Sequence, residues 1–203
     1  KVLQGVTSEV VGNCGFSLFP SLPVEGLAPT FNIFADRGDN EWSDANAYFS
    51  DIDAECSYTN VAALTGHSTL RAKVAGMKAG KLTNTARQQA EFILAQCMEQ
   101  GSIGLSTGLN EVPSAYGDIE ELVGLCKVVK RYGGFYTSHL RDYKFKIIEA
   151  VEEAIEIGRQ SGVPVQLSHL QTVGRKNWNK MDTVLERIDK AAQEGVDIGI
   201  DAY

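Results

Sequence analysis

Two stretches about thirty residues apart, Gly134-Phe135-Tyr136-Thr137-Ser138-His139-Leu140 and Val163-Pro164-Val165-Gln166-Leu167-Ser168-His169-Leu170, end on the same triplet, Ser-His-Leu. Each triplet follows a short β-branched and aromatic run that predicts a strand, and a helical pattern lies between them. Such β–α repeats predict a parallel sheet with helices outside. Because active-site groups of these folds lie at the carboxyl ends of the strands, we expect the two histidines to lie side by side at a functional edge.

The same period extends along the chain. Predicted strands end near Ser106, Ser138, Ser168 and Asp201, about 30 residues apart. Helical patterns cover about 83–100, 119–132, 143–160 and 181–194, and a glycine follows each of them, as helix C-termini favour. Two earlier strands are predicted at 6–12 and 60–65, and a helix at about 43–56.

Six strands and alternating helices predict the α/β class, and specifically a partial (β/α)8 TIM-like barrel with about six of eight strands. An open doubly wound sheet would fit the strand count, but no glycine-rich phosphate loop follows a strand. Residues 1–203 are expected to form a single piece of a larger catalytic barrel whose terminal units are missing, because strand-like runs reach both ends of the chain.

Composition excludes several classes of function. The chain has 203 residues, is 43% hydrophobic and carries a net charge of −7 without a basic run, which argues against a nucleic-acid partner. It has no apolar stretch of the length of a membrane span, and no signal peptide is expected from its first residues. Cys97 and Cys126 fall in apolar helical patterns and are expected to be buried thiols in a reducing cytoplasm.

The candidate site residues follow from the strand ends. His139 and His169 are predicted to bind a metal or to take part in catalysis. Cys14, in Gly12-Asn13-Cys14-Gly15, would complete a Cys/His/His zinc site with an open position for water, or it is a small buried side chain. Asp201 is a fourth ligand, a general base, or a carboxylate bonded to nearby backbone or to a histidine.

Two further polar residues have open roles. His67 either lines the cleft or stabilises the loop after the 60–65 strand. Arg141 either binds a substrate carboxylate bidentately or pairs with a neighbouring acid.

Several separated motifs, in order, carry a family resemblance. The chain is similar to the D-aminoacylase (N-acyl-D-amino-acid deacylase) family of the amidohydrolase superfamily in the following stretches: Gly12-Asn13-Cys14-Gly15, Gly66-His67-Ser68-Thr69-Leu70-Arg71, Gly104-Leu105-Ser106-Thr107-Gly108-Leu109, Ser138-His139-Leu140-Arg141-Asp142, Ser168-His169-Leu170 and Asp201-Ala202-Tyr203. The resemblance implies a distorted barrel, a Zn²⁺ cofactor and hydrolysis of the amide of a small-molecule N-acyl-D-amino acid. It implies that Cys14, His139 and His169 bind the zinc, that Tyr203 helps to bind the substrate carboxylate, and that Asp201 supports a ligand instead of binding the metal.

The chain also departs from the family pattern. The family's His-x-His pair is expected before residue 1 and its catalytic aspartate after residue 203, so no general base is assigned within the chain. Glu111 stands where the family often has a tyrosine, Gln171 where it has a lysine, and Tyr143 where a glutamate is common. The resemblance places Glu111 and Gln171 against the substrate. We therefore expect the isolated chain to keep a zinc site but to be inactive.

Two other functions stay open. A cyclic-amide hydrolase, similar to hydantoinases and dihydroorotases, would use a carboxylated lysine, but no lysine ends a predicted strand. A non-catalytic metal-binding domain is the second alternative. In either case an open barrel leaves unpaired strand edges, from which we expect self-association.

Overall fold

The computed structural model describes residues 1–22, 42–55 and 58–202. The strands are β1 (Ser8–Val11), β2 (Asn60–Ala63), β3 (Thr65–Gly66), β4 (Gly104–Gly108), β5 (Phe135–His139), β6 (Val165–Leu167) and β7 (Ile198–Ile200). The helices are α1 (Ala45–Ala54), α2 (His67–Ala75), α3 (Asn84–Glu99), α4 (Ile119–Arg131), α5 (Ile147–Ser161) and α6 (Met181–Gln193). This alternation confirms the predicted α/β class.

All the described strand pairs are parallel. β1 pairs with β2, and β3 to β7 follow one another in chain order within a second sheet. The predicted strand over 60–65 is interrupted at Leu64, whose N–H bonds to the Val11 carbonyl while the Ala63 carbonyl accepts the N–H of Ile103. The six predicted strand regions are thus present. Within the described residues the strands do not close into a barrel, which agrees with the prediction of a partial one.

The strands have one apolar and one polar face. Tyr136 of β5 is fully buried in the main hydrophobic cluster with side chains of α4 and α5. Since side chains alternate along a strand, Thr137 and His139 lie on the opposite face, where the Thr137 hydroxyl is 2.7 Å from that of Ser168. The helix-facing side therefore forms the core, in which the Thr107 hydroxyl bonds to those of Tyr136 and Ser138. The other side presents His139.

Helix α5 begins later than predicted. The pattern predicts a start at Tyr143, whereas the first helical residue is Ile147. The carboxylate of Asp142 accepts the backbone N–H groups of Lys144 (2.5 Å) and Lys146 (3.0 Å), and this Asx-type loop competes with helix formation. The delay leaves the stretch after β5 exposed at the carboxyl edge of the sheet.

A buried polar network joins α2 to α4. His67, expected in a loop, is instead the first residue of α2 and is fully buried. Its Nε2 lies 2.8 Å from Glu121, and its Nδ1 lies 2.5 Å from the Ser114 hydroxyl. Arg71 donates through one guanidinium nitrogen to both oxygens of Glu121, at 2.7 and 2.6 Å.

Charge balance sets the protonation of this network. Burial lowers the pKa of His67 despite the neighbouring Glu121, so the imidazole is neutral and donates from Nε2 while accepting the Ser114 proton at Nδ1. Burial alone would raise the pKa of Glu121, but the bonds from His67 and Arg71 lower it overall. One buried guanidinium therefore faces one buried carboxylate, which closes the charge balance between the two helices.

We predict that Glu121→Gln destabilises the protein by about 3–5 kcal/mol, because it leaves the Arg71 guanidinium buried without a counter-charge. The adjacent Glu120→Gln is the matched control. Glu120 is 73% exposed and pairs with Arg87 at the surface, so its loss should change the free energy of unfolding by less than about 1 kcal/mol. Urea unfolding of both variants measures the difference, and equal values would contradict the prediction.

Candidate metal centre

Three side chains from distant parts of the chain converge at the carboxyl edge of the sheet. One ligand atom each of Cys14, His139 and His169 lies within 4.8 Å of the other two. The Cys14 sulfur is 3.7 Å from Nε2 of His169, and the two imidazole rings are 4.5 Å apart at 80°. Among the described residues, these three form the one such group of cysteine, histidine and acidic side chains.

The loop that carries Cys14 is held by a serine from another strand. Cys14 has a φ of +56°, and glycines on both sides, Gly12 and Gly15, also have positive φ. The Ser106 hydroxyl of β4 accepts the Gly15 N–H at 3.1 Å and donates to the Gly12 carbonyl. This hydroxyl therefore fixes the backbone before and after Cys14, in a conformation that few non-glycine residues adopt.

His169 is fixed in a similar way. It lies just past the end of β6 and has a φ of +39°. The carboxylate of Asp201 accepts its backbone N–H at 2.5 Å and the Gln166 amide at 2.9 Å. Asp201 is therefore bonded to the main chain of a candidate ligand, His169.

Tyr143 packs against both histidines. Its ring centroid is 5.1 Å from that of His139 and 5.2 Å from that of His169. Its hydroxyl donates to the Ser168 carbonyl at 3.0 Å and accepts the Leu140 N–H at 2.8 Å. The tyrosine therefore ties the ends of β5 and β6 together beneath the cluster.

The electrostatics favour a neutral imidazole at His139. Burial, with a smaller contribution from His169, lowers the pKa of His139 to about 4. Burial raises the pKa of the Cys14 thiol, and the carboxylates of Asp201 and Glu111 raise it further. Neutral imidazole is the form that binds a metal, and a bound cation would offset the two carboxylates and favour the thiolate.

The donor set fits Zn²⁺. Sulfur and imidazole nitrogen are its usual ligands, and three protein ligands are typical of catalytic sites. The Nε2 atom of His139 is buried and accepts or donates no hydrogen bond within the described part of the chain. A polar atom buried in this way is costly unless it has a partner, which a metal ion would provide.

The other predicted site residues lie in different surroundings. Glu111 and Gln171 are half-buried in the loops after β4 and His169. Tyr203 lies outside the described residues. Arg141 forms a bidentate pair with Glu153 of α5, at 2.9 Å from both Nε and Nη2, and donates to the carbonyls of Ala115 and Gly117.

These contacts match the second interpretation of the sequence, in which Arg141 pairs with a neighbouring acid. Four of the five N–H groups of Arg141 are directed at Glu153 and at the loop after β4. His67 likewise belongs to the buried network with Glu121. Neither side chain is part of the metal cluster.

Sequence reasoning missed two residues that shape the site, Ser106 and Tyr143. Ser106 was noted as a strand end, and Tyr143 as a departure from a family pattern. Neither observation predicts a side chain that reaches a second strand. The one available signal is that Ser106 ends a predicted strand and that Tyr143 lies four residues after the end of β5.

Comparisons with known proteins agree with this geometry. No protein-family model matches the chain. The chain is 38% identical over 206 residues to the N-acyl-D-glutamate deacylase of Alcaligenes xylosoxydans xylosoxydans and 34% identical over 203 residues to a D-aminoacylase of that organism. All of the chain is covered in both comparisons, but it spans 41% and 42% of those proteins.

A solved structure supports the same relationship. The N-acyl-D-glutamate deacylase of Bordetella bronchiseptica, complexed with zinc and a phosphonate inhibitor that mimics the tetrahedral intermediate, superposes with a TM-score of 0.94 at 34% identity. The match covers 100% of this chain and 42% of that one. The cluster of Cys14, His139 and His169 thus lies in a fold shared with a zinc-bound deacylase.

We predict that Ser106→Ala weakens zinc binding about tenfold or more, because the hydroxyl no longer fixes the Cys14 loop. Ser138→Ala is the matched control: this serine is also buried and precedes His139, but it lies on the opposite face of β5. Competition with a chromophoric chelator measures both affinities. Equal zinc affinity in the two variants would show that the Ser106 hydroxyl does not organise the site.

Proposed function

We propose that this chain, a homologous part of the D-aminoacylase family, contributes the zinc-binding part of an enzyme that hydrolyses the amide bond of N-acyl-D-amino acids. The observation that carries the proposal is the convergence of Cys14, His139 and His169 in a chain that matches such deacylases over its whole length. Residues 1–203 act in this proposal as one piece of a larger catalytic barrel.

Bound zinc would polarise the amide carbonyl and lower the pKa of a water molecule to about 7. The chain's own residues keep the site ready for this chemistry. Cys14, His139 and His169 hold the ion with three ligands, which leaves a position for water or substrate. Asp201 and Tyr143 fix the ligand-bearing ends of β5 and β6, so the donors are already in place before the ion arrives.

The substrate-facing groups are assigned from the loops around the cluster. Gln171 follows His169 by two residues, and its amide can donate to a substrate carboxylate. Tyr203 would assist it through its hydroxyl. Glu111 introduces a negative charge near Cys14, and we assign to it a part in selecting the side chain of the amino acid.

The general base is assigned to a part of the protein outside this chain. The chain spans about two fifths of the relatives that it matches. Without a base to take the proton from water and pass it to the leaving amine, the isolated chain would bind substrate and zinc but turn over little or none. Efficient hydrolysis by residues 1–203 alone would contradict this assignment.

We expect about one zinc per chain and a loss of affinity of more than about 100-fold in Cys14→Ala, since the variant removes a ligand. Cys126→Ala is the matched control, because Cys126 is a buried thiol of α4. Plasma mass spectrometry and chelator competition on the natural protein that carries this chain measure both.

The same preparations test the activity. Hydrolysis of N-acetyl-D-amino acids should follow zinc content and be lost in Cys14→Ala but not in Cys126→Ala. Zinc binding that depends on Cys14, without hydrolysis of any N-acyl-D-amino acid by the natural protein, would overturn the deacylase proposal and favour a metal-binding role.

A further inference from the structure

Two exposed aromatic rings lie on the loops that follow the histidine-bearing strands. Phe145 is 71% exposed, and Trp178 is 61% exposed. Single exposed aromatic side chains are common on protein surfaces, so what surrounds these two decides whether they form a contact surface. Val173, 36% exposed, lies on the same loop as Trp178.

The two loops form one surface. The N–H of Val173 donates to the Tyr143 carbonyl at 2.7 Å. The Lys180 ammonium donates to the Phe145 carbonyl at 2.7 Å and lies 6.0 Å from the centre of the Phe145 ring. Backbone and side-chain bonds therefore hold the loop after β5 against the loop after β6.

This surface carries a concentrated positive charge. The chain has 19 lysines and arginines and a net charge of −7. No aspartate or glutamate occurs in 143–148 or 170–181, while five basic residues do. We call these residues together with the aromatic side chains the basic-aromatic rim: Lys144, Lys146, Arg175, Lys176, Lys180, Phe145, Trp178 and Val173.

Acidic groups also lie beside the rim, and Lys146 shares a cavity with Asp142 and with four glutamates of α5, Glu149, Glu152, Glu153 and Glu156. Asp142, Glu149 and Asp182 flank the two segments. The Asp142 carboxylate accepts the backbone N–H groups of Lys144 and Lys146, so it is directed at the main chain. The Arg175 guanidinium lies 6.0 Å from the Trp178 ring centre, which combines a cation and an apolar face at one point.

The rim lies next to the metal centre. Tyr143, whose carbonyl joins the two loops, has its ring against both His139 and His169. Both loops leave the carboxyl edge of the sheet, on the same side as the cluster. A small molecule that approaches the cluster from this side first meets positive charge and aromatic surface.

We infer that the basic-aromatic rim captures the anionic, partly apolar substrate and guides it to the metal centre. The inference rests on the proposed function, because an N-acyl amino acid is such a molecule: it has a carboxylate and an acyl group. On a chain with a net charge of −7, a local positive surface raises the concentration of an anion near it. The cations attract the carboxylate, and Phe145 and Trp178 contact the apolar part.

The kinetic test uses Lys144→Glu/Lys176→Glu in the natural protein that carries this chain. Both lysines are exposed. We expect kcat/KM for an N-acyl-D-amino acid to fall about tenfold at low salt, kcat to change less than about twofold, and the difference to shrink as salt screens the charges. Lys127→Glu/Lys130→Glu, which makes the same charge change on exposed positions of α4, should leave kcat/KM within about twofold.

A second test requires no turnover. The fluorescence of Trp178, obtained as the difference from Trp178→Phe, is quenched with iodide and with caesium. A positive surface should make iodide the more effective ion, and Lys144→Glu/Lys176→Glu should reverse the preference while the α4 variant keeps it.

The outcomes separate the two proposals. Equal quenching by iodide and caesium would contradict the positive charge of the rim and overturn the inference, whether or not the protein is active. Iodide preference with kcat/KM unaffected by salt or by the rim variant would also overturn it, since the surface would not guide substrate. A zinc-loaded protein that hydrolyses no N-acyl-D-amino acid would overturn the proposed function and with it the assigned substrate, while the quenching result would still decide the charge of the rim.

Discussion

The candidate site depends on the Ser106 hydroxyl, which holds the main chain on both sides of Cys14. The two histidines belong to neighbouring strand ends and would lie close together in any parallel sheet with this register. Cys14 lies in the loop after β1. This strand pairs with β2 and is not a neighbour of β5 or β6. The Cys14 sulfur reaches His169 because β4, between these strands, fixes the Cys14 loop in a left-handed turn.

The strand ends could be predicted because their signal is local. The same pattern recurs with one period: a β-branched run, a Ser-His-Leu triplet and a following helix. Neighbouring parallel strands end at the same edge of a sheet. This argument places His139 and His169 without any long-range information. Cys14 required the resemblance to a family, since its spacing alone is equally consistent with a small buried side chain.

Other features depend on contacts that no local pattern encodes. Arg141 follows His139 by two residues, and the sequence left open whether it binds the substrate or a neighbouring acid. Glu153, twelve residues further on, binds the guanidinium. His67 was placed in a loop because the strand before it was taken as continuous to Thr65. The pairing of His67 with Glu121 arises only when α2 and α4 meet.

The same contacts connect the metal cluster to the loop after β4. Arg141 directs its guanidinium at the carbonyls of Ala115 and Gly117, and His67 bonds to Ser114, so both hold the loop after β4. That loop carries Glu111, whose charge reaches Cys14. Since Arg141 is two residues from His139, a shift of the β4 loop would strain the segment that carries a candidate ligand. The position of Glu111 and the position of His139 are therefore set together, by groups outside the metal cluster.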